Sequence, residues 1–142
     1  MKPFAGPVHV AVLAAAVLSA CTGNPFTPSA QLVMVGSASQ GPKVAAIAAE
    51  YGIDNIDTRF DGTGVGVAAF CGQNDSNNDG DGVIDMLVIP RGLKTEEADA
   101  CVQDGTSYET LRYAGDTVLI RKASFGTVVG LSALASHLRR NG

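Results

Sequence analysis

From Gln31 onward the apolar positions fall into short blocks whose period changes, and each change marks an element. Gln31 to Val35 is a β-prone apolar run. Pro42 to Tyr51 is alanine-rich and spreads Val44, Ile47, Ala48 and Tyr51 over a helical face before Gly52 ends it. Ile53 to Phe60 reads as a second strand. It runs into the turn Asp61-Gly62-Thr63-Gly64-Val65-Gly66, and Val67 to Cys71 follows as a short helix. Val83 to Ile89 is a continuous apolar run interrupted by Asp85. Lys94 to Gln103 reads as a helix capped near Thr95, with Glu96 and Glu97 in its first turn. Tyr108 to Tyr113 and Thr117 to Ile120 are two further strand candidates around Ala114-Gly115-Asp116. A last helix places Leu131, Leu134, Ala135 and Leu138 at helical spacing behind Ser132, its expected N-cap. Three successive strand–helix units predict an α/β fold, a mostly parallel sheet flanked by helices.

The residues before Gln31 follow a different pattern. Lys2 precedes a small, apolar run from Val8 to Leu18, and Leu18-Ser19-Ala20-Cys21 closes it. The run is too short and alanine-rich for a convincing membrane span, and small residues precede a single cysteine where a peptidase needs access. This segment resembles a bacterial lipoprotein signal. The resemblance implies removal of residues 1–20 and lipidation of Cys21, which would anchor the protein to a membrane on the periplasmic or extracellular face of the cell envelope. An ordinary secretory peptide cleaved nearby is the alternative. Residues 21–30 read as a tether, with prolines, a glycine and an asparagine between Thr22 and Ser29, and residues 31–142 as one α/β domain.

Charge and cysteine content narrow the chemistry. The chain carries a formal net charge of -4, and removing Lys2 makes the remainder more acidic. It has no tryptophan and no basic cluster, so nothing argues for nucleic acid as a partner, and any anion site must be local. With Cys21 lipidated, Cys71 and Cys101 remain as a pair. Outside the cytoplasm a leftover pair is expected to be bonded, the alternative being two unrelated buried thiols.

The candidate chemistry lies in three turns that follow consecutive strands: Gly36-Ser37-Ala38-Ser39, Gly62-Thr63-Gly64 and Ile89-Pro90-Arg91-Gly92. In a parallel sheet they share one edge, where ligands of open α/β sheets bind. Helix N-termini favour anions, hydroxyls add donors and a guanidinium adds charge, so together the three turns suit a phosphate-like oxyanion. For each residue the bland alternative is simple: Ser37 and Ser39 as plain caps, Arg91 as a solvated loop charge.

On these motifs the chain resembles the phosphate-binding proteins of bacterial phosphate ABC transporters, a branch of the two-lobed periplasmic solute-binding family. Gly36, Ser37, Ala38 and Ser39 are similar to its Gly-Ser-Ser-Thr-like turn. Gly62, Thr63, Gly64 and Gly66, followed by Phe70 and Cys71, are similar to its glycine-rich turn and Phe-Cys pair. Arg91, Glu96, Glu97, Ala98 and Cys101 are similar to its Ser-Arg-Pro and Glu-Glu-Ala…Cys segments. The resemblance implies a periplasmic-binding-protein-like lobe with phosphate contacts at Ser37, Ala38, Ser39, Thr63, Gly64 and Arg91. It also implies a Cys71–Cys101 bridge, no catalysis, and delivery to a membrane permease. Family members carry a hydroxyl-bearing residue where Ala38 stands and aromatic bulk where Gly41 and Val67 stand. Only the first lobe is expected here, with the second absent.

A separate signal is the acidic stretch from Asp75 to Asp85. Asn77, Asp79, Asp81 and Asp85 alternate oxygen ligands around glycines, a pattern similar to thrombospondin type 3 calcium repeats. As an EF-hand it fails, because Met86 stands where a bidentate glutamate belongs. Calcium is the one cofactor this suggests; the alternative is a solvated acidic insertion. Beyond the removable segment the chain keeps one histidine, His137, too few for a histidine metal site or a catalytic triad. Besides phosphate binding, two further readings stand: a structural or interaction lipoprotein that uses the acidic loop for calcium, and a non-functional fragment.

Overall fold

The computed structural model describes residues 31–72 and 83–142. Its elements run β1 (Leu32–Gly36), α1 (Gly41–Glu50), β2 (Ile56–Arg59), α2 (Thr63–Phe70), β3 (Met86–Ile89), α3 (Thr95–Gln103), β4 (Tyr108–Tyr113), β5 (Asp116–Arg121), a 3-10 turn (Lys122–Gly126) and α4 (Leu131–Arg140). The expected α/β class is what the chain forms. A 5-stranded sheet has the order β2-β1-β3-β5-β4 and carries helices on both faces.

The parallel part of the sheet is β2, β1 and β3, with Leu32 opposite Ile56 and Met34 opposite Met86. β5 and β4 join antiparallel, Val88 facing Val118 and Leu111 facing Val118 from the other side. The reason is local. Ala114 and Gly115 link β4 to β5 directly and have φ of 49° and 87°, the left-handed pair of a tight hairpin turn, which cannot produce a parallel crossover.

Alternation along the central strands sorts the core into two layers. Met86 and Val88 of β3 and Leu32 and Met34 of β1 face α1 and α4, in a cluster completed by Val44, Ala48, Leu131, Leu134 and Leu138. Leu87, Ile89 and Val35 face the other way, against Val67 and Phe70 of α2 and Cys101 of α3. All four residues of β3 are buried, which is why its sequence is a continuous apolar run.

Asp85 breaks that run for a structural reason. It is buried, and its two carboxylate oxygens accept hydrogen bonds from the Val33 N–H at 2.8 Å and the Ser124 hydroxyl at 2.5 Å. The 3-10 turn is thereby tied to the start of the sheet. On the α2 side, Cys71 and Cys101 form the expected disulfide, across a sequence separation of 30. A loop of that size stabilises by about 3–4 kcal/mol on the chain-entropy estimate.

Several element boundaries differ from the sequence pattern, β3 for one beginning at Met86 rather than Val83. Ile53 does not begin β2; it is fully buried between α1 and the sheet as a core residue of the connecting segment. α2 starts at Thr63 rather than Val67, so the glycine-rich turn is itself the first helical turn. α4 is capped by Gly130 at φ 90°, where a Cβ would crowd the Tyr51 carbonyl oxygen, and Ser132 sits exposed inside the helix.

Two stability changes follow. Ala114 is an exposed non-glycine residue at positive φ, so Ala114→Gly or Ala114→Asn should raise stability by roughly 0.5–1 kcal/mol, read as a higher urea midpoint at unchanged slope. Asp85→Ala should lower it by roughly 2–4 kcal/mol in the same measurement, because a buried N–H and a buried hydroxyl both lose their acceptor.

Candidate functional site

Connections leave β1 and β3 on opposite faces of the sheet: β1 feeds α1 in one layer, and β3 feeds α3 in the other. The carboxyl ends of two such neighbours make a topological switch point, the place at which open α/β sheets hold ligands. The β1–α1 turn and the first turn of α2 meet there. The Ser37 N–H donates to the Val88 carbonyl at 2.8 Å, and the Gly62 N–H donates to the Gly36 carbonyl at 3.0 Å. Gly36 has φ 130°, and a Cβ on it would overlap the Val88 carbonyl oxygen. Gly66 lies directly on Gly36, a Cβ there falling 2.6 Å from the Gly36 Cα. Glycine at both positions is what lets α2 start against the end of β1.

Ser37 is buried, whereas Ala38 and Ser39 are exposed. Neither serine caps α1. The N-cap is Gln40, which makes no side-chain cap bond, and Pro42 takes an early helical position where its missing N–H is harmless. Instead the Ser37 and Ser39 hydroxyls bond each other at 3.1 Å, with the Ser39 N–H at 3.4 Å from the Ser37 oxygen. Two hydroxyls sharing one hydrogen bond leave one O–H donor for another acceptor.

α2 is capped by Gly62, which has no side chain to donate or accept, and the first-turn N–H groups of Thr63, Gly64 and Val65 have no intrahelical carbonyl partner. Thr63 is half-buried and Gly64 exposed. Neither α1 nor α2 carries an acidic residue in its first turn, while α3, rising from the same edge, carries Glu96 and Glu97. The first turns of α1 and α2 thus hold no carboxylate of their own, and the nearest one along the chain to α2 is the exposed Asp61 that precedes its Gly62 cap.

Arg91 has another commitment. Its guanidinium makes a two-pronged pair with Glu97, Nη1 to Oε2 and Nη2 to Oε1 at 2.7 Å each, and Nη1 also donates to the Gly92 carbonyl at 2.9 Å. Glu97 accepts the Lys94 N–H at 2.8 Å as well, so its carboxylate closes the N-terminus of α3. Hydrogen bonding to Arg91 lowers the Glu97 pKa from 4.5 to about 2, with smaller help from the Lys94 N–H, and the same pairing raises that of Arg91. A ligand reaching Arg91 would have to share it with Glu97.

Phe60, at the end of β2, supplies bulk that sequence reasoning did not assign. Its ring stands directly over Gly41, where any Cβ would strike it. The aromatic bulk expected at position 41 by resemblance is therefore delivered by a neighbouring strand. Lys43 is likewise close to the α1 N-terminus, its ammonium donating to the Gln40 side chain at 3.1 Å. A cation three residues after the N-cap was the available signal for it.

Of the calcium candidates, Asn77, Asp79 and Asp81 lie outside the described residues, and Asp85 is the buried acceptor of Val33 and Ser124. Cys21 also lies outside them. Among the described residues no group of three His, Cys, Asp or Glu side chains is placed to hold a metal. His137 bonds the Tyr51 hydroxyl through Nδ1 at 2.8 Å and packs α4 onto α1.

No protein-family model matches the chain, and no curated protein does. Among solved structures it is similar to a possible phosphate binding protein from Planctomyces limnophilus DSM 3776, with 23% identity and a TM-score of 0.46. The match covers 58% of this chain and 28% of that one, so the chain spans well under two thirds of that protein's length.

The depressed Glu97 pKa carries a pH dependence. A carboxylate with pKa 4.5 in the open chain and about 2 in the fold contributes stability that is complete above 4.5 and is lost as pH falls towards 2. Acid titration of the wild type should show loss of α3 signal through that window, whereas Glu97→Gln should be less stable at neutral pH and lose this share of the slope. Unfolding midpoints taken from pH 7 to 2 check it.

Proposed function

We propose that this chain is an extracytoplasmic solute-binding lobe that takes inorganic phosphate or a similar oxyanion at the crevice between β1 and β3. One observation carries the reading: two helix N-termini with no acidic residue in the first turn meet at the switch point beside a hydroxyl pair that caps neither helix. Ser37, Ser39, Thr63 and the N–H groups around Ala38 and Gly64 would donate to the anion. Arg91 would contribute by partial sharing with Glu97.

Each donor does a different job. Backbone N–H groups of α1 and α2 bring the helix dipoles, which favour negative charge without adding a mobile counter-ion. The hydroxyls orient the oxyanion, because each can rotate to present a hydrogen. The crevice is open on the outer side at Ala38, Ser39 and Gly64. A bound anion there keeps part of its hydration, its hydrogen bonds compete with water, and affinity is expected near the millimolar range rather than below it.

The same proposal extends to the rest of the chain. Lipid on Cys21 would hold the domain at a membrane through the tether of residues 21–30, and the anion would pass to a membrane permease.

Titration calorimetry with the domain of residues 31–142 and inorganic phosphate tests the binding step. Heat that saturates at millimolar phosphate is expected, with Ser39→Ala weakening it by about 5- to 10-fold, the size of one net hydrogen bond in competition with water. Arg91→Ala should weaken it less than Ser39→Ala. Absence of saturable binding up to 20-fold above about 1 mM would remove the reading.

A further inference from the structure

α3 is held to the domain in a way the other helices are not. α1 buries Gly41, Val44 and Ala48; α2 buries Gly66, Val67 and Phe70; α4 buries Leu131, Leu134, Ala135 and Leu138. α3 buries Cys101 alone, and its Val102 is 73% exposed. What fastens it is covalent and polar: the disulfide to Cys71, the Arg91–Glu97 pair, and the Thr106 N–H to the Cys101 carbonyl at 2.9 Å. Between α2 and α3 runs a shallow groove whose walls include Val67, Ala68, Glu97 and Ala100, and it reaches Cys71. The two helices therefore lie side by side with space between them. Under α3 the sheet is apolar, with Leu87, Ile89 and Leu119 all buried.

We propose that the Cys71–Cys101 bridge is a thiol–disulfide exchange site, and that its reduction by a dithiol frees α3 while the five-stranded sheet stays folded. The thiolate of the dithiol attacks the Cys71 sulfur at the head of the groove, and the S–S bond breaks. Cys101 leaves as a thiolate and takes a proton. The second thiol of the reagent then displaces Cys71 from the mixed disulfide. The reagent ends as its own disulfide, and two electrons and two protons have passed to the protein.

Three features make the outcome local. A helix of nine residues is too short to persist by itself in water. Without the covalent tie, α3 keeps one small buried side chain and one partly exposed ion pair, which together hold little. The larger layer formed by α1, α4 and the sheet contains neither cysteine and does not depend on the bridge. Cys71 and Cys101 are 1% and 0% exposed, so exchange proceeds through openings of α3 that widen the groove. Glu96 lines that groove beside the Arg91-paired Glu97, and its charge favours a neutral or cationic dithiol over an anionic thiol.

Hydrogen exchange read by mass spectrometry on the full chain, before and after dithiothreitol, tests this. Amides of residues 95–103 should lose protection by about 100-fold on reduction, while those of β1, β3 and β5 keep theirs. Loss of protection throughout, or none at α3, would overturn it. The double variant Cys71→Ser, Cys101→Ser should show the reduced pattern without reductant, and failure of that variant to fold would overturn it equally. Glu97→Gln should speed reduction by dithiothreitol about 5-fold, as expected for a weakened α3 anchor; an unchanged rate would rule out opening of α3 as the controlling step.

Discussion

The close approach of backbone at Gly36 sets the geometry on which the rest depends. β1 ends there, the Val88 carbonyl of β3 receives the Ser37 N–H, the Gly62 N–H bonds the Gly36 carbonyl, and Gly66 of α2 rests on the Gly36 Cα. No side chain fits at either glycine. Because these segments pack backbone to backbone, α1 and α2 both begin at the carboxyl edge of the parallel strands. Their first turns are thereby brought to the same end of the sheet, next to Gly36. A bulkier residue at Gly36 or Gly66 would push α2 outward and separate the donors before it changed any of them.

The two faces of the sheet are unequal, and the inequality has a physical origin. On one face α1 and α4 supply aliphatic side chains at helical spacing, and these fill a continuous core with both central strands. On the other face α2 is short and rich in glycine and alanine, and α3 presents one sulfur to the interior. A disulfide takes the place of the missing apolar contacts. The same arrangement leaves α3 dependent on a bond that chemistry can break, whereas the opposite face depends only on burial.

Charge is placed with similar economy. Asp85 is spent at the start of the sheet on Val33 and Ser124, and Arg91 at the other edge on Glu97. For the anion proposed above, attraction would come from backbone dipoles and from the hydroxyls of Ser37, Ser39 and Thr63, in a chain whose net charge is negative. Such a site would select by hydrogen-bond geometry more than by long-range field, because local donors act at contact while net charge acts over a Debye length.

Periodicity and turn residues act over a few positions, and from them the order of strands and helices could be read directly, whereas the antiparallel pairing of β4 and β5 was not assigned. The apolar run from Val83 to Ile89 was legible as a strand for the same reason, and its Met86–Ile89 part is the one buried on both faces. Other features were out of reach. Glycines at 62, 64 and 66 read as a loop by propensity, yet α2 begins at Thr63 because Gly66 must touch Gly36, a contact between residues thirty apart in sequence. Ser39 read as an anion contact with a plain cap as the alternative, and the cap gives way to a hydrogen bond with the Ser37 hydroxyl. Arg91 read as an anion ligand from its turn, but its geometry is set by Glu97 one helical start away. Short-range backbone preference thus specified the elements and their sequence along the chain. The stacking of layers decided which donors remain free, because that depends on distances between segments that no local pattern encodes.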